Sequence, residues 1–529
     1  MTEQKQTQPF GAAQLDALRR TMEEYRRARR EDMARLEEQE QWWRLRNTDR
    51  QAQTYALAAD GGHHSASAWL HNVIVSKHAD AMDAYPIPHI LPREEDDAAE
   101  AARLCEILPR VLEMNSFEQV FSDVTWQKLK TGTGIYRVTW DARKLGGLGD
   151  IAITRIPPTA LLWQPGICDI QKSAVLFHVE SVPRAEFAAA YPAHADLPAE
   201  ADGTVTVTEA YYRKEVEGRR TLQYCRFARD VILCATENDP ELCRRGLYDH
   251  GKYPFVFDPL FPLEGSPCGY GYIDLCRGPQ TELDLLKTAF VRNALVGAMP
   301  RYFARGEGVN EEELLDLTRP LVHVSNASED ALRPIVHNPL PAAYIDLYDR
   351  TVKELRETSG NTEAGTGNIS QGVTAASAIN ALREASGKGS RDSNASARRA
   401  FCGVVELCIE LIRQFYTLPR RFRLDGGEGE VPRFVRYSAD GIRPIPQTDG
   451  EGRALGYRLP VFDIHIKARH RDSYSAATQN ALATELFRLG FFDPARRREA
   501  LAALSVMDFE GKELIAARLG AEDGGEVRP

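Results

Sequence analysis

No apolar run in this sequence approaches the ~18 residues that a membrane-spanning helix requires, and the polar N-terminus has no apolar segment of the signal-peptide kind. A soluble globular chain is expected, in line with 43% hydrophobic and 27% charged residues. The nine cysteines are odd in number and include no CxxC pair, which favours free thiols in a reducing compartment over a disulfide framework. Basic residues are in deficit. The 66 Lys and Arg against 76 Asp and Glu leave a net charge of −10, which argues against a surface that grips nucleic acid by its phosphates. Catalytic signatures are missing too: there is no GxSxG, no HExxH and no spaced carboxylate cluster. Gly269-Tyr270-Gly271 lacks the third glycine and the βαβ unit of a dinucleotide loop. In Ser386-Gly387-Lys388-Gly389, a glycine follows the lysine where a phosphate loop needs Ser or Thr, and Leu382 stands where its first glycine belongs. His63, His64, His71 and His78 have no Cys or carboxylate constellation to complete a zinc site. The chain is therefore not expected to be an enzyme or to carry a cofactor or metal.

What the sequence does have is a distinctive stretch from Glu357 to Phe415. Ser359 to Gly372 places glycines at 360, 365, 367 and 372 among Asn, Thr and Ser, which reads as a loop because these residues resist regular structure. From Thr374, a plausible N-cap, helical spacing sets in and continues to about Phe415. The first half of this helix is rich in Ala, Ser and Gly, and suits close packing against a neighbouring copy. The second half carries Val404, Val405, Leu407, Ile409, Leu411 and Ile412 as an apolar face that looks too thin to stand alone.

The 529 residues suffice for about three or four domain-sized units. Ala12 to Asn47, without Gly or Pro, predicts one long charged helix, with Arg19, Arg20, Arg26, Arg27, Arg29 and Arg30 on a solvated face beside Glu23, Glu24, Glu31 and Asp32. Trp42 and Trp43 should anchor its end. Trp69, Leu70, Val73, Ile74, His78 and Met82 form a helical stripe ended by Pro86 and Pro88. A single helix is predicted from Asp97 to Lys130, after which Gly132 and Gly134 open a β-rich region containing IYRVTW, DIAITRI, AVLFHVE, TVTVTEAYYRK and TLQYCRF. Helices at Ile273 to Val296 and Ala342 to Arg356 bracket a compact insertion, Met299 to Asn338, with short strands and an acidic helix near Glu311. Strands fill Arg420 to Lys467, and helices finish the chain, with Asp493 and Pro494 as a cap and Gly490 and Gly520 as stops. The fold class is α+β.

This order of parts resembles the portal protein, or head–tail connector, of tailed bacteriophages. The resemblance is carried by SAWLHNVIVSKHADAMDAYP, KLKTGTGIYRVTWDARKLGGLGDIAI, GSPCGYGYIDLCRGPQTELD and, most specifically, TSGNTEAGTGNISQGVTAASAINALREASGKGSRD. It implies a division into N-terminal helices and a β-rich wing (1–268), a first stem helix (269–297), a clip (298–339) and a second stem helix (340–358). A tunnel loop (359–373), a long helix (374–416), wing return strands (417–470) and a helical crown (471–529) complete it. It also implies a ring, usually of twelve subunits, at one capsid vertex of the virion, assembled in the host cytoplasm. Double-stranded DNA passes through its channel during packaging and ejection, and terminase, tail adaptors and the major capsid or scaffolding protein are its partners. Asn361, Thr362, Glu363, Asn368, Ser370 and Gln371 would face the DNA. Glu311, Glu312, Glu313 and Asp316 would meet terminase or adaptors, although a plain solvated acidic face explains them as well. Lys388, Arg391, Arg398 and Arg399 would touch phosphate or a neighbouring subunit.

A channel must hold DNA without gripping it. Duplex DNA carries one negative charge per about 1.7 Å, so a negative wall lets it slide, and screening confines the repulsion to about 8–10 Å. The loop contains Glu363, and no Lys or Arg occurs from Glu357 through Leu382, which suits loose contact. Two other classes fit the sequence as well: a ring-forming minor head protein without DNA passage, and a hydrolase or nuclease built from scattered acids.

Overall fold

The computed structural model describes residues 9–45, 66–298, 302–304, 312–313, 332–335, 340–361, 388–424, 433–448, 453–470, 484–491, 497–506 and 515. The N-terminal arginine-rich segment forms two helices, α1 (Ala12–Ala28) and α2 (Arg30–Trp43), rather than the one expected. Arg29 explains the break. It is buried, its guanidinium lies 3.5 Å over the Trp163 ring, and it donates to the carbonyls of Pro158 and Leu161. The solvated face therefore loses Arg29 to the core, while Arg20, Arg26, Arg27 and Arg30 stay exposed.

The chain continues with α3 (Trp69–Asp83), β1 (Ala84–Pro92), α4 (Ala98–Met114) and α5 (Phe117–Thr131). The proline pair ends α3 as predicted, but Pro86 and Pro88 then lie within β1. The single helix expected over 97–130 is split at Asn115 and Ser116, where Ser116 adopts a left-handed φ of 48°.

Strands β2 (Thr133–Asp141), β3 (Asp150–Arg155), β4 (Leu161–Trp163), β5 (Val175–Pro183), β6 (Thr204–Val216), β7 (Arg219–Ala228), β8 (Val231–Ala235) and β9 (Phe255–Pro259) follow. They build two sheets, a three-stranded β3-β2-β9 and an antiparallel meander β4-β5-β6-β7-β8. Glu217 and Gly218, both at positive φ, make the two-residue turn whose twist suits the β6–β7 hairpin. α1 covers the meander with Leu15, Met22 and Tyr25 against Phe177, Ala210 and Phe227. Glu209 on β6 joins the two sheets by accepting from Arg137 on β2 (2.8 Å), His178 on β5 (3.0 Å) and the Tyr211 and Tyr224 hydroxyls. Burial alone would push this carboxyl up, but Arg137 and His178 hold it well below the carboxylate range.

Strands β10 (Phe261–Pro262) and β11 (Gly269–Tyr270) lead into α6 (Tyr272–Ala298). Strands β12 (Tyr302–Ala304) and β13 (Leu332–Pro334) pair antiparallel, and α7 (Ala343–Ser359) returns against α6. Leu283 and Leu355 of this pair join Leu70, Val73, Ile74 and Trp42 in one core. Gly132 sits at φ 84° where the β10–β11 ribbon crosses the end of α5, and a Cβ there would lie 2.2 Å from Tyr270 backbone. Only glycine fits.

Helix α8 (Lys388–Phe415) is followed by β14 (Arg420–Leu424), β15 (Arg433–Tyr437), β16 (Ile445–Thr448), β17 (Ala454–Arg458) and β18 (Phe462–His470). The apolar half of α8 is not thin. Phe401, Val404, Val405, Cys408, Leu411 and Ile412 are fully buried within the same subunit, against Phe117 and the β2–β9 sheet. The partner expected from a neighbouring copy is, for this half, the chain itself. Residues 374–387 lie outside the described residues.

The chain divides into two units, Met1–Ala81 with Pro88–Ile466, and Met82–Ile87 with Lys467–Pro529. In the second, α9 (Arg497–Val506) buries Ala500 and Leu504, and Gly490, expected as a helix stop, turns the chain at φ 71°. Asp493, Pro494 and Gly520 lie outside the described residues.

Candidate functional site

The two flanks of the stretch between residues 361 and 388 meet on one side chain. Lys77 projects from the apolar stripe of α3, between Ile74 and Ala81, and is buried. Its Nζ donates to the carbonyl of Gly360 at the end of α7 (3.4 Å) and to Ser390 Oγ in the first turn of α8 (3.1 Å). Ser390 in turn donates to Asp80 Oδ2 (2.6 Å), which stands 3.9 Å from Nζ. Burial pushes the lysine below its usual range, and Asp80 opposes that shift. Gly360, at φ 65°, closes α7 in a left-handed cap.

One and two turns along α8 the same small-residue spacing makes a second anchor. Lys128 on α5 donates to Asp258 Oδ1 on β9 (2.7 Å) and to the carbonyl of Ser393 (2.9 Å). Ser396 donates to Asp258 Oδ1 (2.8 Å) and to the Pro259 carbonyl (2.8 Å). Both ionised side chains are almost fully buried. The serines at 390, 393 and 396 thus fasten α8 to the body by polar contacts before its apolar half begins.

The helix pair is held at its root as well. Asp274 in the first turn of α6 accepts from Arg35 (2.9 Å) and Gln39 (2.6 Å) of α2. Farther along α6, Asp284 accepts from the Ser67 amide (2.7 Å), and Gln280 accepts from the Leu70 amide (3.1 Å), so that α6 side chains satisfy donors at the start of α3. Burial pushes the Asp284 carboxyl up to about 6, against the hydrogen bonds from Ser67 and Gln280 and the charge of Lys287. A small apolar recess beside it is lined by Trp42, Trp43, Leu70, His71 and Ile273.

Among the residues expected to face DNA, Asn361 is buried. Its amide donates to the Arg356 carbonyl (3.0 Å) and its Oδ1 accepts from Ser76 (3.3 Å), so it anchors the end of α7 instead of facing a channel. Thr362, Glu363, Asn368, Ser370 and Gln371 lie outside the described residues, as do Glu311 and Asp316. Glu312 is exposed and Glu313 half-buried. Lys388 opens α8, and Arg391, Arg398 and Arg399 are exposed along it. His71 stacks on Trp43 (4.3 Å) and His78 on Trp126 (3.8 Å), which makes them packing residues. Spacing missed Lys77, Lys128 and Asp258. A lysine inside an apolar helical stripe was the one legible signal.

The body is mixed helix and strand, in keeping with the α+β class expected from the sequence. A model of the Phage P22-like portal protein family matches residues 80–237 and 264–527. The chain belongs to that family. No curated protein matches it. This portal protein is thus a head–tail connector of a bacteriophage capsid with a part in DNA packaging and ejection, and its family is structural rather than enzymatic. Membership brings a ring-forming oligomer, a place in the virion capsid and the passage of DNA. No helix among the described residues is long and apolar enough to cross a membrane.

Proposed function

We propose that α6 and α7 are the stem of a twelve-subunit ring, that 298–339 is its clip, and that 359–373 and 374–416 are the tunnel loop and the helix behind it. The β-rich part of 1–268 with 417–470 is the wing, and 471–529 the crown. Terminase and tail adaptors dock on the clip, and the major capsid or scaffolding protein meets the ring at the capsid vertex. Duplex DNA slides past the loop without sequence readout. The observation that carries this reading is the outer surface of the helix pair. Leu295 and Val296 on α6, and Tyr344, Ile345 and Leu347 on α7, are 43–57% exposed in the single subunit. An apolar surface of that kind on a helical hairpin needs a partner, and a neighbouring hairpin in a ring supplies one.

Lys77 supports the loop assignment, because it ties Gly360 before the loop and Ser390 beyond it to one point of the body. Deleting Thr362 to Gln371, sparing the buried Asn361, should leave rings intact and impair DNA packaging or retention. Loss of ring assembly in that deletion would show the segment to be a packing element and sink the assignment.

A further inference from the structure

We infer that the outward face of the β14–β15 hairpin docks on an acidic surface of the next copy of this chain, an inference that rests on the ring reading above. In the hairpin, Arg421 stands directly opposite Arg436, and Arg423 opposite Phe434. All four are exposed, Phe434 to 70%, while Arg420, Phe422 and Tyr437 on the other face are buried. Residues directly opposite on one face lie about 5 Å apart, where like charges destabilise the pair. The neighbouring arginines are satisfied within the chain: Arg420 lies against Asp150 and Arg433 against Glu106. Among the described residues Arg421 and Arg436 have no carboxylate partner.

Two features that cost stability in a lone subunit therefore share one small surface, a facing guanidinium pair and a bare aromatic ring. One carboxylate held between the two guanidinia relieves the first, and an apolar seat relieves the second. Arg and Phe are residues that protein interfaces favour. A DNA duplex offers phosphates but no seat for Phe434. The nearest acidic protein surface in a ring is another copy, since the chain carries a net charge of −10 and every member of a ring has a neighbour.

The test is sedimentation analysis of the full chain across a concentration series, comparing wild type with the Arg421→Glu/Arg436→Glu pair, Phe434→Ala and the conservative Arg421→Lys/Arg436→Lys pair. The charge reversal and Phe434→Ala should each raise the concentration for half-assembly by about tenfold or more. The lysine pair should stay close to wild type, and the thermal unfolding midpoint of the dissociated subunit should not move. Assembly of both disruptive variants at the wild-type concentration overturns the inference. So does loss of binding to a short random-sequence DNA duplex with assembly unchanged, which would make the hairpin a DNA-facing surface. If wild type forms no ring at any concentration, the ring reading fails together with this one, whereas unaffected variants sink the hairpin assignment alone.

Discussion

Lys77 and Ser390, 313 positions apart in the chain, meet at 3.1 Å inside the subunit. Through the same ammonium group, the end of α7 and the start of α8 are fixed to α3. Lys77→Met should cost about 1–3 kcal/mol, because the Gly360 carbonyl and Ser390 lose a charged donor in a buried setting. Ser390→Ala should cost about 1 kcal/mol and couple to it. Urea titrations of the two single variants and the double variant measure that coupling, and strict additivity would show the contact to be incidental.

Lys128 and Asp258 form a buried ion pair at 2.7 Å. Lys128→Met leaves Asp258 charged without its cation and should destabilise by about 3–5 kcal/mol. Pairing it with Asp258→Asn should restore part of that loss, since Ser396 can still donate to the amide oxygen. Chemical denaturation of the three variants decides whether the charge or the volume of Lys128 matters.

Asp284 makes stability depend on pH in a defined direction. Its folded value is raised to about 6 from the usual 3.8, so between these values the folded state holds a proton that the unfolded state has released. Stability from this group is full below about pH 4 and is lost as pH rises towards 6. Asp284→Asn should therefore raise the melting temperature at pH 8 and leave it nearly unchanged at pH 4. An equal shift at both pH values would contradict the assignment.

Gly132 and Gly203 share almost the same backbone angle, φ 84° and φ 80°. A Cβ at Gly203 meets nothing within 4 Å, whereas at Gly132 it collides with the Tyr270 backbone. Gly203→Ala should cost about 1 kcal/mol from strain alone. Gly132→Ala should cost well beyond that or prevent folding, read from soluble yield and melting temperature side by side.

The α+β class, the strands that follow Gly132 and the helix pair were legible because alternation and helical periodicity report burial one element at a time. The breaks at Arg29 and Ser116 were not. Each depends on contacts or backbone angles set by tertiary packing, such as Trp163 under the Arg29 guanidinium. The same limit hid the site. Lys77 meets Ser390 and Lys128 meets Asp258 across more than a hundred residues of chain, and no spacing rule reports such a meeting. Conversely, α8 looked short of partners because its apolar residues were judged without the sheet that covers them.

Electron-microscope images of the purified chain, viewed down the particle axis, decide whether its copies close into a ring around a DNA channel. A closed ring of subunits with an open central hole is the predicted result. A particle that stays monomeric at every concentration, and cleaves DNA when a divalent metal is added, would contradict it.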